Sequence, residues 1–324
     1  MLYLSIPELI TEAAQLVPAI KTAGVSATSE RLNQLQDKTI VVKYGGNAMT
    51  DTVLQQQFAQ DVALLSAMGV DMLVVHGGGP QIDAMLKRVG IEGQFIQGMR
   101  VTDADTMEIV DGVLCGNVQG QIVNLINQAG KSFGVRAVGV SGKDGRMIRV
   151  KKLLLPDAQD ASVQHDIGLV GDVVGVDTAV LDALIEAEFV PVVSPIAADD
   201  AGVSHNVNAD VAAGEIACAV RAHKLMLLTN IKGVLDKQGE LITEIDSVRA
   251  DALKADGTLY GGMLPKIDSA LDAAKRGVGA VHIVDGREPH ILLQSLLSDA
   301  AVGTKISVRR REVIASRFIA KQST

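Results

Sequence analysis

The stretches TIVVKYGG (39–46) and DMLVVHGGGP (71–80) decide the fold. Each is a short run of β-branched and other apolar residues that ends in glycines. Helical spacing of apolar residues follows each run, over 52–68 and over 80–89. Apolar runs of this kind are typical of parallel strands that are buried on both faces. The pattern therefore predicts a strand, a glycine loop and a helix, twice in succession.

Further apolar runs continue the pattern toward the C-terminus, namely VRAVGVSG (135–142), FVPVVSPI (189–196), HKLMLLTNI (223–231) and GAVHIVDG (279–286). Helical stretches lie between them, at 179–187, 209–221 and 264–276. Shorter alternating pieces over 149–176 predict an antiparallel hairpin. Strands that alternate with helices predict an α/β fold with a mostly parallel sheet covered on both faces. Ligands bind such sheets at the carboxyl ends of the strands, which is where the glycines lie.

Before the first strand the sequence predicts a separate amphipathic helix. Its apolar residues recur at three and four positions from Ile6 to Ile20, after a helix-start pattern at 5–8. A small and polar stretch follows, so residues 1–36 are assigned to an oligomerisation helix and a linker that stand apart from the core. An apolar stripe must be buried, and self-association is favoured over packing on the chain's own body.

Composition excludes several partners. The chain has 30 Lys+Arg against 38 Asp+Glu, a net charge of -8, and only 2% aromatic residues among its 324 positions. Nucleic acid is therefore not expected as a partner, because its binding needs positive charge and stacking rings. We find no apolar run near the ~20 residues of a membrane span and no basic region typical of a secretory signal. Cys115 and Cys218 are expected to be buried thiols in a reducing compartment, the cytoplasm.

The glycine loops predict an anion site. Glycines after a strand let backbone N–H groups approach an anion, and the next helix adds the positive end of its dipole. A tight turn alone would explain one such loop. Two loops at neighbouring strands, the first preceded by Lys43 inside an apolar strand, favour an anion as the ligand.

Phosphoryl transfer to an oxygen that is already ionised needs positioned cations more than proton chemistry. Lys43 and Lys266, the latter after the glycine pair 261–262, are candidates to approach from opposite sides. Asp210 in NVNAD (206–210) is a candidate carboxylate to hold them. Capping of the helix that starts there is an equally good interpretation of Asp210, and Asn208 could serve as the cap instead.

Several motifs, in their order and spacing, resemble the amino-acid kinase family and in particular its acetylglutamate kinases: VVKYGG, VVHGGGPQI, GMRVTDADTMEIV, VGVSGKDG, IGLVGDV, PVVSPIAADD, NVNAD, LLTNIKGVLD and GGMLPKI. The likeness covers about 38–306. It implies an open α/β/α sandwich, with an N-terminal lobe (37–222) for an acyl amino acid and a C-terminal lobe (223–324) for ATP. It also implies that ATP, with Mg²⁺, phosphorylates the side-chain carboxylate of N-acetyl-L-glutamate in arginine biosynthesis.

The resemblance also implies roles for individual residues. Lys43 and Lys266 would stabilise the transferring phosphoryl group, and Asp210 would orient both. The acyl amino acid would be bound by Gly78, Gly79, Arg100 and Asn206. The nucleotide would be bound by Gly45, Gly46, Thr229, Asn230, Gly233, Val234, Gly261, Gly262 and Met263. No resident metal site is implied, because Mg²⁺ would be carried by the nucleotide.

Partners and alternatives follow from the same resemblance. Arginine-inhibited relatives carry an extra N-terminal helix that interlaces dimers into a hexameric ring, and a segment like HIVDGREPH (282–290) helps them to bind L-arginine. For this chain the resemblance implies a dimer or a hexamer built as a trimer of dimers. A homo-oligomer and an L-arginine effector are therefore expected, and a nitrogen-signalling protein is a candidate partner. The alternatives are a kinase of another acylated amino acid, such as an aminoadipate derivative, and an arginine-responsive regulator with little catalysis.

Overall fold

The computed structural model describes residues 4–157, 160, 162–259 and 263–308. Its strands are β1 (Thr39–Tyr44), β2 (Asp71–His76), β3 (Phe95–Ile96), β4 (Met99–Arg100), β5 (Arg136–Ser141), β6 (Ile148–Pro156), β7 (Gln164–Val176), β8 (Phe189–Ser194), β9 (Ile196–Ala198), β10 (Ser204–Asn206), β11 (Lys224–Thr229), β12 (Val234–Leu235), β13 (Leu241–Ile242), β14 (Glu244–Ile245), β15 (Val281–Asp285) and β16 (Thr304–Ile306). Its α-helices are α1 (Ile6–Leu16), α2 (Pro18–Asn33), α3 (Thr52–Ala67), α4 (Gly79–Val89), α5 (Ala104–Asp111), α6 (Gln119–Gly130), α7 (Ala179–Glu186), α8 (Ala209–Ala219), α9 (Ser247–Ala255), α10 (Met263–Lys275) and α11 (Ile291–Leu297).

The central sheet has eight strands in the order β14-β16-β15-β11-β1-β2-β8-β5. All neighbouring pairs are parallel except β15 and β16. Because Tyr44 pairs with His76 and Lys43 with Leu227, the carboxyl ends of β1, β2 and β11 lie at one edge. The mostly parallel sheet predicted from the sequence is confirmed, and it brings the glycine loops together.

Alternate side chains of β1 enter two different cores. Ile40 and Val42 are fully buried in a core that also contains residues of α1, α2, α3, α6 and α11. Val41 is fully buried on the opposite face, in a core with residues of α8, α9 and α10. The two layers of helices confirm the α/β/α sandwich.

The predicted hairpin is also confirmed. β6 and β7 pair antiparallel, and with β9 and β10 they close into a small barrel beside the main sheet. β10 leads directly into α8, so this barrel is joined to the edge of the sheet where the glycines lie.

The N-terminal segment differs from the prediction. The first helix ends at Leu16, because Pro18 cannot continue it and instead begins α2. The stretch interpreted as a linker is helical up to Asn33, with a kink at Gly24 (φ +79°). Ile10 and Ile20 are at most 1% exposed within the core of the same chain. The expectation that this segment stands apart from the core was therefore wrong.

One long helix was not anticipated. α5, a π-helical turn at Gly112–Val118 and α6 form a continuous helix over Ala104–Gly130, which is long and apolar enough to cross a membrane by length and composition alone. The core helix of a globular fold passes the same test. Val110, Leu114 and Ile126 are at most 2% exposed within the core described above, so this helix packs as a core helix here.

The proposed division into lobes at 222/223 falls between α8 and β11, and the sheet continues across it. β11 pairs with β1 over four residue pairs. The division itself stays a prediction.

Candidate functional site

Lys43, Asp210 and Lys266 meet at the carboxyl edge of the sheet. The Lys43 Nζ lies 3.1 Å from Asp210 Oδ1, and the Lys266 Nζ lies 3.4 Å from Asp210 Oδ2. The three residues come from β1, α8 and α10, which are far apart in sequence. The grouping expected from the motifs is therefore present, with each lysine on its own oxygen of one carboxylate.

Asp210 does not cap its helix. The Asn208 side chain accepts hydrogen bonds from the N–H groups of Asp210 and Val211, at 2.8 and 3.3 Å, and so caps α8. Burial would raise the pKa of the Asp210 carboxyl, but the charges and hydrogen bonds of Lys43 and Lys266 outweigh it and hold that pKa below its usual range. Two cations on one carboxylate leave a net positive charge, which suits an anion.

An open cleft of about 360 Å³ lies beside this cluster. Its lining consists of Lys43, Gly45, Gly46, Leu228, Thr229, Asn230, Ile231, Met263 and Lys266. Gly46 has φ +71°, and a Cβ on Gly45 would lie 3.2 Å from the Lys43 Nζ. The positive φ favours glycine at position 46, and a side chain at position 45 would crowd the Lys43 ammonium group. The volume is in the range of small-ligand sites.

Part of the predicted nucleotide set lies elsewhere. Gly233 (φ +138°) and Val234 pack against β16, where the Val234 N–H donates to Thr304 Oγ1 at 2.8 Å. Neither lines the cleft just described. The Thr229 hydroxyl faces inward, 3.2 Å from the carbonyl oxygens of Val284 and Ile231, and shapes the loop. Gly261 and Gly262 lie outside the described residues.

The second glycine loop runs beside the first. The Gly77 N–H donates to the Tyr44 carbonyl at 2.8 Å, so the two loops are joined through their backbones. Gly78 and Gly79 start α4. A Cβ on Gly78 would lie 2.6 Å from Leu114 Cδ2, so close packing requires glycine at this position.

Arg100 is held in a defined orientation. Its Nη2 lies 2.6 Å from Asp83 Oδ1, and its guanidinium lies 4.7 Å from the centre of the Phe95 ring. The Arg100 side chain is 7% exposed, and its Nη1 is buried without a hydrogen bond to any described residue. Buried donors are normally satisfied, so the unpaired Nη1, which carries two N–H groups, is a candidate to meet a ligand acceptor. No local sequence pattern indicates that Asp83 pairs with Arg100.

Asn206 is joined to Arg100 through Thr102. The Thr102 hydroxyl donates to the Arg100 carbonyl at 3.1 Å, and the Asn206 Nδ2 lies 3.5 Å from the same hydroxyl oxygen. Four residues after Asn206, the chain reaches Asp210. The candidate acyl amino acid residues and the ion-pair cluster are therefore carried by connected segments.

Cysteines and histidines do not extend this site. Burial raises the pKa of the Cys115 and Cys218 thiols to about 11. Burial also lowers the pKa of His76 to about 4 and that of His282 to about 3, so both are neutral at pH 7. Over the part of the chain that the structure describes, no three His, Cys, Asp or Glu residues are placed to hold a metal ion.

Comparison with known proteins gives consistent matches. Residues 38–285 match the model of the amino acid kinase family. An acetylglutamate kinase of Albidiferax ferrireducens is 53% identical over 92% of this chain and 99% of its own length. One from Polaromonas naphthalenivorans is 56% identical over 91% of this chain and 95% of its own length.

Solved structures show the same fold. The N-acetylglutamate synthase of Neisseria gonorrhoeae, complexed with coenzyme A and N-acetyl-glutamate, superimposes with a TM-score of 0.73 at 23% identity, over 87% of this chain and 62% of that one. The chain thus spans less than two thirds of that synthase. Carbamate kinase of Giardia lamblia bound to AMP-PNP gives a TM-score of 0.58 at 17% identity, over 84% of this chain and 99% of that one.

Proposed function

The chain belongs to the amino acid kinase family, and within it to the acetylglutamate kinases, and from this premise we propose that its cleft transfers the terminal phosphoryl group of ATP to the side-chain carboxylate of N-acetyl-L-glutamate. It is a phosphotransferase of amino-acid biosynthesis that acts on a carboxyl group and uses ATP. The observation that carries the residue assignments is the pair of lysines on the carboxylate of Asp210.

Lys43 and Lys266 stabilise the phosphoryl group during transfer. Negative charge spreads over its oxygens in the transition state, and two fixed ammonium groups can neutralise it without rearrangement. Asp210 keeps the two cations apart from each other and aimed into the cleft. A carboxylate acceptor is already ionised near pH 7, so no side chain has to remove a proton from it.

The acceptor binds on the side of α4. The free Nη1 of Arg100 supports an ion pair with the α-carboxylate of the acyl amino acid, since a guanidinium is well suited to a carboxylate. Gly78 and Gly79 offer the start of a helix to the reacting carboxylate. Asn206 completes the acceptor site.

The nucleotide binds on the side of β11. Gly45, Gly46, Thr229, Asn230 and Met263 line the cleft that would receive it, and Gly233 and Val234 support the loop from behind. The carboxylate beside this cleft, Asp210, is engaged by two lysines, so Mg²⁺ fits here as an ion carried by the nucleotide phosphates. When bound, Mg²⁺ would neutralise phosphate charge.

A coupled ADP-release assay tests the proposal. N-acetyl-L-glutamate should support turnover, whereas its homologues one methylene shorter or longer should support at least about tenfold less, because a displaced carboxylate cannot lie in line with the phosphoryl group. Preference for the longer homologue would instead assign the chain to an aminoadipate derivative.

We further propose a cytoplasmic homo-oligomer, a dimer or a hexamer. The resemblance to relatives with an N-terminal helix supports this proposal. The apolar face of α1 packs on the core of its own chain, so an oligomer formed through α1 would exchange this helix between subunits. Sedimentation of the full chain and of Ile10→Glu distinguishes an α1 that is exchanged between subunits from an α1 that packs on its own chain. A helix exchanged between subunits predicts a loss of mass in the variant, and a helix packed on its own chain predicts lower stability at unchanged mass.

L-arginine is proposed as an effector that binds at 282–290. Burial, together with the nearby charges of Lys224 and Lys305, lowers the pKa of His282. Lys305 is paired with Glu244 at 3.0 Å, so Lys224 is the cation that suits the carboxylate of an amino acid. Inhibition of ADP release by L-arginine that is weakened in Lys224→Ala would support this site. Turnover that L-arginine does not change would contradict it.

A further inference from the structure

Gln81 of the GGGPQI motif has no role in the function proposed above, and its side chain lies between the two glycine loops. It stands in the first turn of α4, two residues after Gly79. Its Nε2 donates a hydrogen bond to the Met49 carbonyl oxygen, 3.2 Å away. Met49 ends the short turn that starts at Gly46, on the nucleotide side. The amide of Gln81 therefore bridges the acceptor loop and the nucleotide loop.

The end of the nucleotide loop is held from its buried side. Gln55 of α3 also donates to the Met49 carbonyl, at 2.5 Å. One residue earlier, the Tyr44 hydroxyl donates to the Ala48 carbonyl at 2.8 Å, and the Tyr44 ring is stacked on Phe58 with centroids 3.8 Å apart. Because the peptide group is planar, holding these carbonyls also fixes the N–H groups beside them. The turn is a rigid support to which Gln81 attaches the second loop.

The other end of the same amide lies against the acceptor loop. The Gln81 Oε1 is 3.8 Å from the place that a Cβ of Gly78 would occupy. This oxygen is buried and accepts no hydrogen bond from the described residues. A buried acceptor without a partner destabilises a fold, and an apolar side chain of similar size would avoid that cost. The hydrogen bond that the Gln81 Nε2 donates to the Met49 carbonyl therefore accounts for an amide at this position.

We propose that Gln81 is a positioning residue that sets the spacing between the two glycine loops and thereby aligns acceptor and phosphoryl donor. The inference rests on the proposed function. In-line transfer requires the reacting atoms to be about 3–3.5 Å apart and aligned, and a displacement of about 1 Å can lower the rate about a hundredfold. Gln81 acts through Met49 and Gly78, and not as a catalytic residue.

Gln81→Met is the sharpest test, because methionine keeps the length of the side chain and removes the donor. We expect kcat to fall at least about tenfold, while the Kd of ATP and the Kd of acetylglutamate, each measured alone by calorimetry, stay within about threefold. If Gln81 merely supported one loop, Gln81→Met would raise the Kd of that loop's ligand by the same factor as it lowers kcat. Gln121→Leu is the matched control, since Gln121 borders a small cavity that Gln81 also lines, but within the part of the chain that the structure describes its side chain bonds to Asn117 of its own helix alone.

The outcomes are distinguishable. If wild-type protein does not phosphorylate acetylglutamate, the proposed function is wrong and this inference with it. If the wild type is active and Gln81→Met turns over within twofold of it, or loses kcat and one Kd equally, the inference alone is wrong. Should Gln81→Met fail to fold by circular dichroism, Gln81→Leu, which also lacks the N–H donor and adds no charge between the two anion sites, is measured in the same way and judged by the same criteria.

Discussion

The carboxylate of Asp61 in α3 lies 2.7 Å from the Nδ1 of His290, 229 positions later in the chain. The second oxygen of Asp61 accepts from the N–H groups of Leu292 and Leu293, at 3.1 and 3.5 Å, at the start of α11. Asp61 is 1% exposed, and burial, the largest influence, raises its pKa despite these hydrogen bonds. One buried carboxylate therefore attaches a C-terminal helix to the layer beside β1.

Asp61→Ala should destabilise the protein by about 2–4 kcal/mol, because it leaves His290 and two backbone donors buried without an acceptor. Urea unfolding measures the difference. Asp299→Ala is the control, since Asp299 pairs with Arg31 at the surface and its side chain is 78% exposed. We expect a cost below about 1 kcal/mol for that change. Equal costs for the two substitutions would contradict this account of Asp61.

Replacing Asp210 should separate binding from catalysis. Asp210→Asn keeps the shape of the side chain and removes the charge that holds Lys43 and Lys266, so kcat should fall at least about tenfold. ATP should bind as tightly as before or more tightly, because the two cations are less neutralised. Steady-state kinetics and calorimetry measure the two quantities.

The control for that experiment is Glu215→Gln on the same helix, which pairs with Arg276 away from the cleft. Its turnover should stay within about twofold of the wild type, as is usual for sites outside the catalytic cluster. A loss of ATP affinity in Asp210→Asn, with kcat retained, would exclude Asp210 from the role proposed.

Arg100→Lys should raise the KM of acetylglutamate at least about tenfold and leave the Kd of ATP unchanged, because lysine cannot bind Asp83 and a ligand carboxylate in the same planar geometry. Arg88→Lys, on an exposed position of α4, should change neither value. If Arg100→Lys weakened ATP binding equally, the guanidinium would not belong to the acceptor site.

Stability should decrease as pH falls from about 6.5 to 4. Burial lowers the pKa of His76 from 6.5 to about 4, although its hydrogen bond to the Gly77 carbonyl opposes this. The unfolded chain therefore takes up a proton in this window that the folded protein does not, and stability is lost by up to about 3 kcal/mol. Unfolding free energies of His76→Gln at pH 7, 6 and 5 should decrease less steeply than those of the wild type. Identical slopes would mean that His76 does not contribute to the pH dependence of the unfolding free energy.

Local apolar runs and glycines predicted the sheet, whereas the grouping of Lys43, Asp210 and Lys266 from three separate elements was expected from the motifs that resemble the family. The buried strand before Gly45 and the one before Gly77 each carry their own apolar run and glycines, and parallel pairing then places Lys43 near the second loop. The sequence left open whether Asp210 caps α8 or holds the lysines, and in the structure Asn208 is the cap.

The other features of the fold and the site depended on tertiary contacts that no local sequence pattern encodes. Asp61 and His290 are 229 positions apart, and Asp83 of α4 meets Arg100 of β4 17 positions later. The segment 18–33 is helical although its small and polar residues favour a linker, because Ile20 and Leu32 are fully buried in the core. Tertiary packing overrode local propensity there.

The most direct test of the central claim is acyl phosphate formation, trapped with hydroxylamine, in wild type and Lys266→Ala with ATP, Mg²⁺ and N-acetyl-L-glutamate. We predict hydroxamate from the wild type, and at least about a hundredfold lower kcat with little change in KM for the variant, because Lys266 acts mainly in the transition state. Hydroxamate formed by Lys266→Ala at the wild-type rate, or none formed by the wild type, would contradict the account.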